Sequence, residues 1–275
     1  MISKKNKSLQ SYSLFLSLFL VVFSCGLNAQ EDGMERVEAG IYTPLYGTDS
    51  TAVSVTAFKI DKFPVTNQQF LAFVRKNPKW QKSNVKGLFA EKRYLNHWKN
   101  DLELSNSSLD KTPVTNVSWF AAKKYCECQG KRLPTLDEWE YVAMADKTSP
   151  DAREKEGYNA FILGWYEKPK SFNDEVGSTF KNYWGVYDMH GLVWEWTNDF
   201  NSVIISGETR RDENNSNNNL FCGSAAIGSS DLMNYAAFMR YAFRSSIKAN
   251  YTIKNLGFRC AEDIETQKND KHETL

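Results

Sequence analysis

A surplus of either charge, histidine, and apolar runs of membrane length are all wanting in this chain, and each lack closes off a class of function. Lysine plus arginine number 34 against 33 for aspartate plus glutamate. With no basic excess to neutralise a phosphate backbone, dedicated nucleic-acid binding loses its electrostatic signature. Three histidines, His97, His190 and His272, are too scattered for a zinc cage of the common spacings. The apolar run from Leu14 to Phe23 is too short to span a bilayer. Fixed-period repeats are missing, as is any Pro-rich or Gly/Ser-rich linker beyond residue 33. The 275 residues therefore read as one domain from Met34 to Asp263 with a frayed tail over 264–275.

What is present begins with an export signal. Lys4, Lys5 and Lys7 precede the Leu14–Phe23 run, and small or polar residues follow, in the layout of a secretory leader over residues 1–29. Two processing readings stand. A peptidase cut after Ala29 leaves Gln30 first; lipid attachment uses Cys25 in the lipobox-like Val22-Phe23-Ser24-Cys25. Both place the folded part outside the cytoplasm, in the periplasm or as an envelope lipoprotein, with a lipid anchor as the one link to the membrane. Losing the leader removes three lysines and no acid, leaving 31 basic against 33 acidic residues, so bulk charge selects no partner.

Regular structure is legible in the first half. Val53, Val55, Phe58 and Ile60 suggest one extended segment with a one-residue slip, read as a bulge, before Pro64 ends it. Thr66 with Gln69 forms a capping box ahead of Phe70, Leu71, Phe73 and Val74, predicting a short helix that stops near Pro78. A second helix starts at Ser118, buries Trp119, Ala122 and Tyr125 or Cys126, and ends at Gly130; Thr135 with Glu138 opens a third that carries Trp139 and Val142. From Asp146 to Leu220 periodicity fades and long loops are expected, with Asp212 to Asn219 a polar surface loop.

Four spaced stretches carry a resemblance. They are Pro64-Val65-Thr66-Asn67; Pro113-Val114-Thr115-Asn116-Val117-Ser118-Trp119 running on to Gly130-Lys131-Arg132-Leu133-Pro134-Thr135 and Glu138-Trp139-Glu140-Tyr141; Gly185 to Trp196; and Asn255-Leu256-Gly257-Phe258-Arg259. In this order, over residues 37–262, the chain resembles the formylglycine-generating enzyme, or sulfatase-modifying factor, family. The resemblance implies an α+β, C-type-lectin-like fold with little regular secondary structure.

It also implies a chemistry that these residues do not supply. Active members bind copper with two cysteines five residues apart, soft thiolates suited to Cu(I), and oxidise a substrate cysteine to formylglycine. Counting back from Asn255 through Arg244 and Arg240 places the second cysteine at Ala236 and the first near Asp231, and no cysteine lies between Cys222 and Cys260. Cys222 alone, in Cys222-Gly223-Ser224, is no two-sulfur site. Copper is therefore not expected.

The resemblance assigns the remaining residues as follows. Cys126 and Cys260 match a family disulfide, which would close a loop of about 135 residues and contribute on the order of 4 to 5 kcal/mol by loop entropy. The family's other bridge falls on Ala143 and Tyr241, both lost together, and Cys128 and Cys222 stay unassigned. Asp188, Gly191, Val193 and Glu195 match a calcium site of two carboxylates and two carbonyls; the alternative is a turn cap at Asp188 and an ion pair at Glu195. Trp194 matches an oxygen-pocket tryptophan, or is a core aromatic. His190 reads as a hydrogen-bonded loop histidine, and Ser224 has no recognisable triad partners. Arg240 and Arg244 match family arginines, as structural ion pairs or as an anion site in the old cleft.

Three functions are weighed on this basis. The first is an exported factor that has lost the oxidase chemistry and works by binding a protein partner or extracytoplasmic substrate, as an accessory, maturation or scaffold protein. The second is a divergent oxidoreductase resembling the family's pyoverdine-maturation branch. The third is a lectin-like ligand binder. The first is favoured, because one scaffold hosts many functions and the catalytic pair is the part missing.

Overall fold

The computed structural model describes residues 33–45, 51–168, 171–201 and 232–264. The leader with Cys25, the 212–219 loop, Cys222, Ser224, Asp231 and residues 265–275 lie outside them. Among the described residues, no helix is long and apolar enough to cross a membrane.

Both capping boxes form. Thr66 accepts from the Gln69 amide while the Gln69 side chain accepts from Thr66 N, opening helix α1 (Asn67–Lys76), which ends just before Pro78. Ser118 caps α2 (Trp119–Cys128) by accepting from Ala121 N, and Gly130 follows in the left-handed region at φ 72°. Thr135 and Glu138 open α3 (Leu136–Ala143) in the same reciprocal way.

Strand pairing departs from the expected single extended segment. β1 (Met34–Val37), β4 (Phe58–Asp61) and β9 (Ala261–Asp263) form an antiparallel sheet in the order β1-β4-β9, while β2 (Gly40–Tyr42) pairs with β3 (Val53–Val55) in a second sheet. The slip between Val55 and Phe58 is therefore a change of sheet. It rotates Val55, Phe58 and Ile60 into one buried cluster with Trp139 and Val142, which a regular period-2 strand would not do. A hairpin of β5 (Trp98–Asn100) and β6 (Glu103–Leu104) follows.

An α-helix interrupts the loops expected from Asp146 to Leu220. α4 (Tyr158–Tyr166) carries several aromatic residues and Gly164, and starts from Gly157 at φ 78° with no side-chain cap. Nothing in its propensity advertises a helix; it forms because Tyr158 and Ile162 are buried in an apolar cluster with Ala152, Phe180 and Ala236. Ala236 belongs to α5 (Leu232–Ser246), which packs on α4.

The four motif stretches converge. Val65 N donates to Phe258 O and Val114 N to Val65 O, while β7 (Trp194–Glu195) pairs in parallel with β8 (Leu256–Gly257). At Gly257 a Cβ would lie 2.7 Å from Val114 O, so only glycine lets these backbones meet. Trp119 Nε1 donates to Thr197 O and Trp196 Nε1 to Val117 O, at 3.0 and 2.9 Å. Cys126 and Cys260, both fully buried, are joined in a disulfide that ties α2 to the residue before β9. Cys128 sits half-buried on α2 against the same core.

Candidate functional site

Ala236 is the position to which the family resemblance assigns the second copper cysteine. It is buried and lines a cavity of about 30 Å³ with Glu140, Ala143, His190, Arg240 and Tyr241. That volume holds about one or two waters. Ala143 and Tyr241, the expected counterparts of the second family bridge, share its wall.

Glu140 organises the charges around this cavity. Arg240 donates to it through Nε at 3.0 and 3.1 Å and through Nη2 at 2.7 Å, and Arg244 through Nη1 at 2.6 Å. Burial works to raise the Glu140 carboxyl, but the two guanidinium groups override it and hold it at about 2. The third Arg240 nitrogen donates to Tyr166 Oη at 3.3 Å, and Tyr166 Oη lies 2.9 Å from His190 Nδ1. His190 Nε2 is 2.8 Å from the Ala143 carbonyl, which only accepts, so Nε2 carries the proton and Nδ1 accepts from Tyr166. Burial, reinforced by Arg240, pushes His190 down to about 3, keeping it neutral.

Arg240 and Arg244 therefore act as ion-pair partners of Glu140. All the Arg240 nitrogens are engaged, and Arg244 is 2 % exposed, which leaves neither open as an anion site. Arg244 also lies 4.6 Å from the Trp139 ring. Trp194 is half-buried and stacks against Tyr166 and Phe243, with centroids 5.5 and 4.8 Å away. It is a packed aromatic in this arrangement.

The family's copper site and the expected calcium site are two separate questions of fit. Ala236 offers no donor atom, Asp231 lies outside the described residues, and Cys126 and Cys260 are spent on their disulfide. The residues present do not fit a two-thiolate copper site. At the calcium set, Glu195 is fully buried and both its oxygens are taken: Arg259 donates through Nε and Nη2 at 2.8 to 3.1 Å, and Trp139 Nε1 at 2.8 Å. Asp188, at φ 61°, accepts from the amides of Gly177 and Thr179 as a turn cap. Gly191, at φ 94°, brings the turn so close to Trp165 that a Cβ would sit 2.7 Å from its Cβ. With Glu195 committed to Arg259, at most three of the expected donors remain, below the six to eight oxygens calcium takes. As they stand, Asp188 is a turn cap and Glu195 half of a buried ion pair, an arrangement that these four residues alone do not open to calcium.

Sequence reading missed Glu140 and Tyr166 as members of the network around Arg240, and Arg259 as the partner of Glu195. Glu140 carried a signal: Glu138 is used by the capping box, and a second acid on the same buried helix requires a cation. A second cavity, of about 470 Å³, was also missed; it is lined by Asn67, His97, Thr115, Asn116, Arg93 and Lys254 among others.

Residues 25–264 match the model of the sulfatase-modifying factor enzyme 1-like domain. The chain is 27 % identical to the mouse inactive C-alpha-formylglycine-generating enzyme 2 over 292 residues, covering 88 % of this chain and 90 % of the relative. It is 28 % identical to the mouse formylglycine-generating enzyme over 289 residues, covering 84 % and 75 %. Among solved structures, PvdO from Pseudomonas aeruginosa aligns over 84 % of this chain and 94 % of its own at 18 % identity, with a TM-score of 0.44.

Proposed function

The chain belongs to the sulfatase-modifying factor enzyme family, and we propose that within it this is an exported member without cysteine-to-formylglycine oxidase activity, acting by binding as an accessory, maturation or scaffold factor of the cell envelope. One observation carries the reading: alanine occupies position 236, and no cysteine lies between Cys222 and Cys260. Overall similarity does not decide the matter, since identity to a relative named inactive and to one named as the enzyme is 27 % and 28 %. The local chemistry supports the reading.

Two further features support it. The cavity beside Ala236 has room for about one or two waters, and Glu140, Arg240 and Arg244 bind one another. The Cys126–Cys260 disulfide accords with an oxidising compartment, as the leader-like first 29 residues do. A partner is then expected to be a protein or extracytoplasmic substrate recognised outside this cavity.

The test is conversion of a cysteine-containing sulfatase-motif peptide by the purified exported protein, read by mass spectrometry. No aldehyde product is expected with or without added copper. Formylglycine formation above a no-protein control overturns the reading. Affinity capture from the native envelope then identifies the partner.

A further inference from the structure

We propose that the cavity of about 470 Å³ between the 93–97 segment, the 112–116 segment and Lys254 binds a small hydroxylated organic anion. Its volume lies within the roughly 300 to 1,000 Å³ of small-molecule sites.

The floor is a rigid polar lattice. Asn67, 1 % exposed, donates through Nδ2 to Thr112 O, Thr112 Oγ1 and Pro113 O at 3.0 to 3.2 Å, and its Oδ1 accepts from Trp98 Nε1 at 2.8 Å. The same Oδ1 lies 3.0 Å from His97 Nε2, so that nitrogen carries the proton. His97 Nδ1 is left as an acceptor, 3.4 Å from Asn116 Nδ2, which also donates to Asn96 Oδ1 at 2.7 Å.

Two features of this lattice bear on a ligand. Asn116 sits in the left-handed region at φ 53°, which asparagine tolerates, and at 4 % exposure this fixes its amide against Asn96 and His97. Thr115 is 5 % exposed and lines the cavity, yet its hydroxyl makes no hydrogen bond among the described residues. That hydroxyl is not among the fully buried unpartnered atoms, so solvent reaches it, and a ligand hydroxyl can pair with it in place of water.

Charge fixes the sign of the ligand. Arg93 and Lys254 are exposed at the rim, and no carboxylate is among the described residues that line the cavity. Two exposed cations on a wall that carries no acid, Lys254 Nζ lying 5.2 Å over the Phe172 ring, favour an anion, and a guanidinium matches a carboxylate or a phosphate. Asn96, Asn116 and Thr115 then serve hydroxyl groups. The site shares no residue with the cavity at Ala236, so its failure would leave the proposed loss of oxidase activity untouched.

The test is calorimetric titration of the full protein with glucuronate, glucose 6-phosphate and glucose. The first two separate carboxylate from phosphate, and glucose removes the charge. At least one anion is expected to bind, with glucose at least ten-fold weaker. The double variant Arg93→Ala/Lys254→Ala should weaken the anion at least ten-fold, and Thr115→Val should weaken it several-fold, both with melting midpoints unchanged. The proposal is overturned if neither anion binds, if glucose binds as well as the anions, or if the double variant binds like the parent.

Discussion

The two cavities differ in how their polar groups are spent. Around the small one, every charged or titratable wall residue of the Glu140 network answers another: Glu140 to Arg240 and Arg244, Arg240 to Tyr166, Tyr166 to His190, and His190 to the Ala143 carbonyl. Around the large one, two exposed cations share a wall with no acid among the described lining residues, and the Thr115 hydroxyl makes no hydrogen bond among the described residues. The first pattern holds a fold together, and the second waits for something else. On the proposed reading, the cavity beside Ala236 is structural and recognition lies elsewhere.

The sharpest way to break this contrast is to remove the centre of the closed network. Glu140→Gln strands two buried arginines and is expected to cost about 3 to 5 kcal/mol, read by chemical denaturation. A loss below about 1 kcal/mol would mean that the network is not structural. Acid titration gives a related but smaller effect. The folded Glu140 carboxyl sits at about 2 against an ordinary value near 4.5, so its contribution is complete above about pH 4.5 and is lost as the pH falls towards 2. The stability gap between parent and Glu140→Gln should therefore narrow over that window; a gap independent of pH would assign the effect to another group.

Smaller effects sharpen the comparison. Chelation should move the melting midpoint by less than about 1 °C, because Arg259 already occupies Glu195. A clear calcium-dependent rise would restore the ion to the 188–195 turn. Thr115→Val, in the open cavity, should change stability by less than about 0.5 kcal/mol, since its hydroxyl contributes no internal hydrogen bond. A loss as large as that of Glu140→Gln would erase the distinction between the two sites.

What the sequence disclosed follows from the range of the interactions involved. Capping boxes at Thr66 and Thr135, and the Ser118 cap, are local hydrogen bonds within four residues and were readable. α4 was not, because aromatic burial against Ala152 and Phe180 overrides weak propensity. Nor was the change of sheet between Val55 and Phe58, whose partners are the distant β2, β1 and β9. At the site, the missing cysteines were visible as a spacing, whereas the Glu140–Arg240 pair joins residues a hundred positions apart. The large cavity gathers residues from Asn67 to Lys254, each unremarkable in its own stretch.

The most direct measurement is a copper(I) titration of the purified exported protein against a competing chelator. An alanine at 236 predicts no stoichiometric binding able to compete, before or after reduction of accessible disulfides. Tight one-to-one binding that disappears when thiols are alkylated would show a two-thiolate site in this chain, and the assignment of position 236 would fall with it.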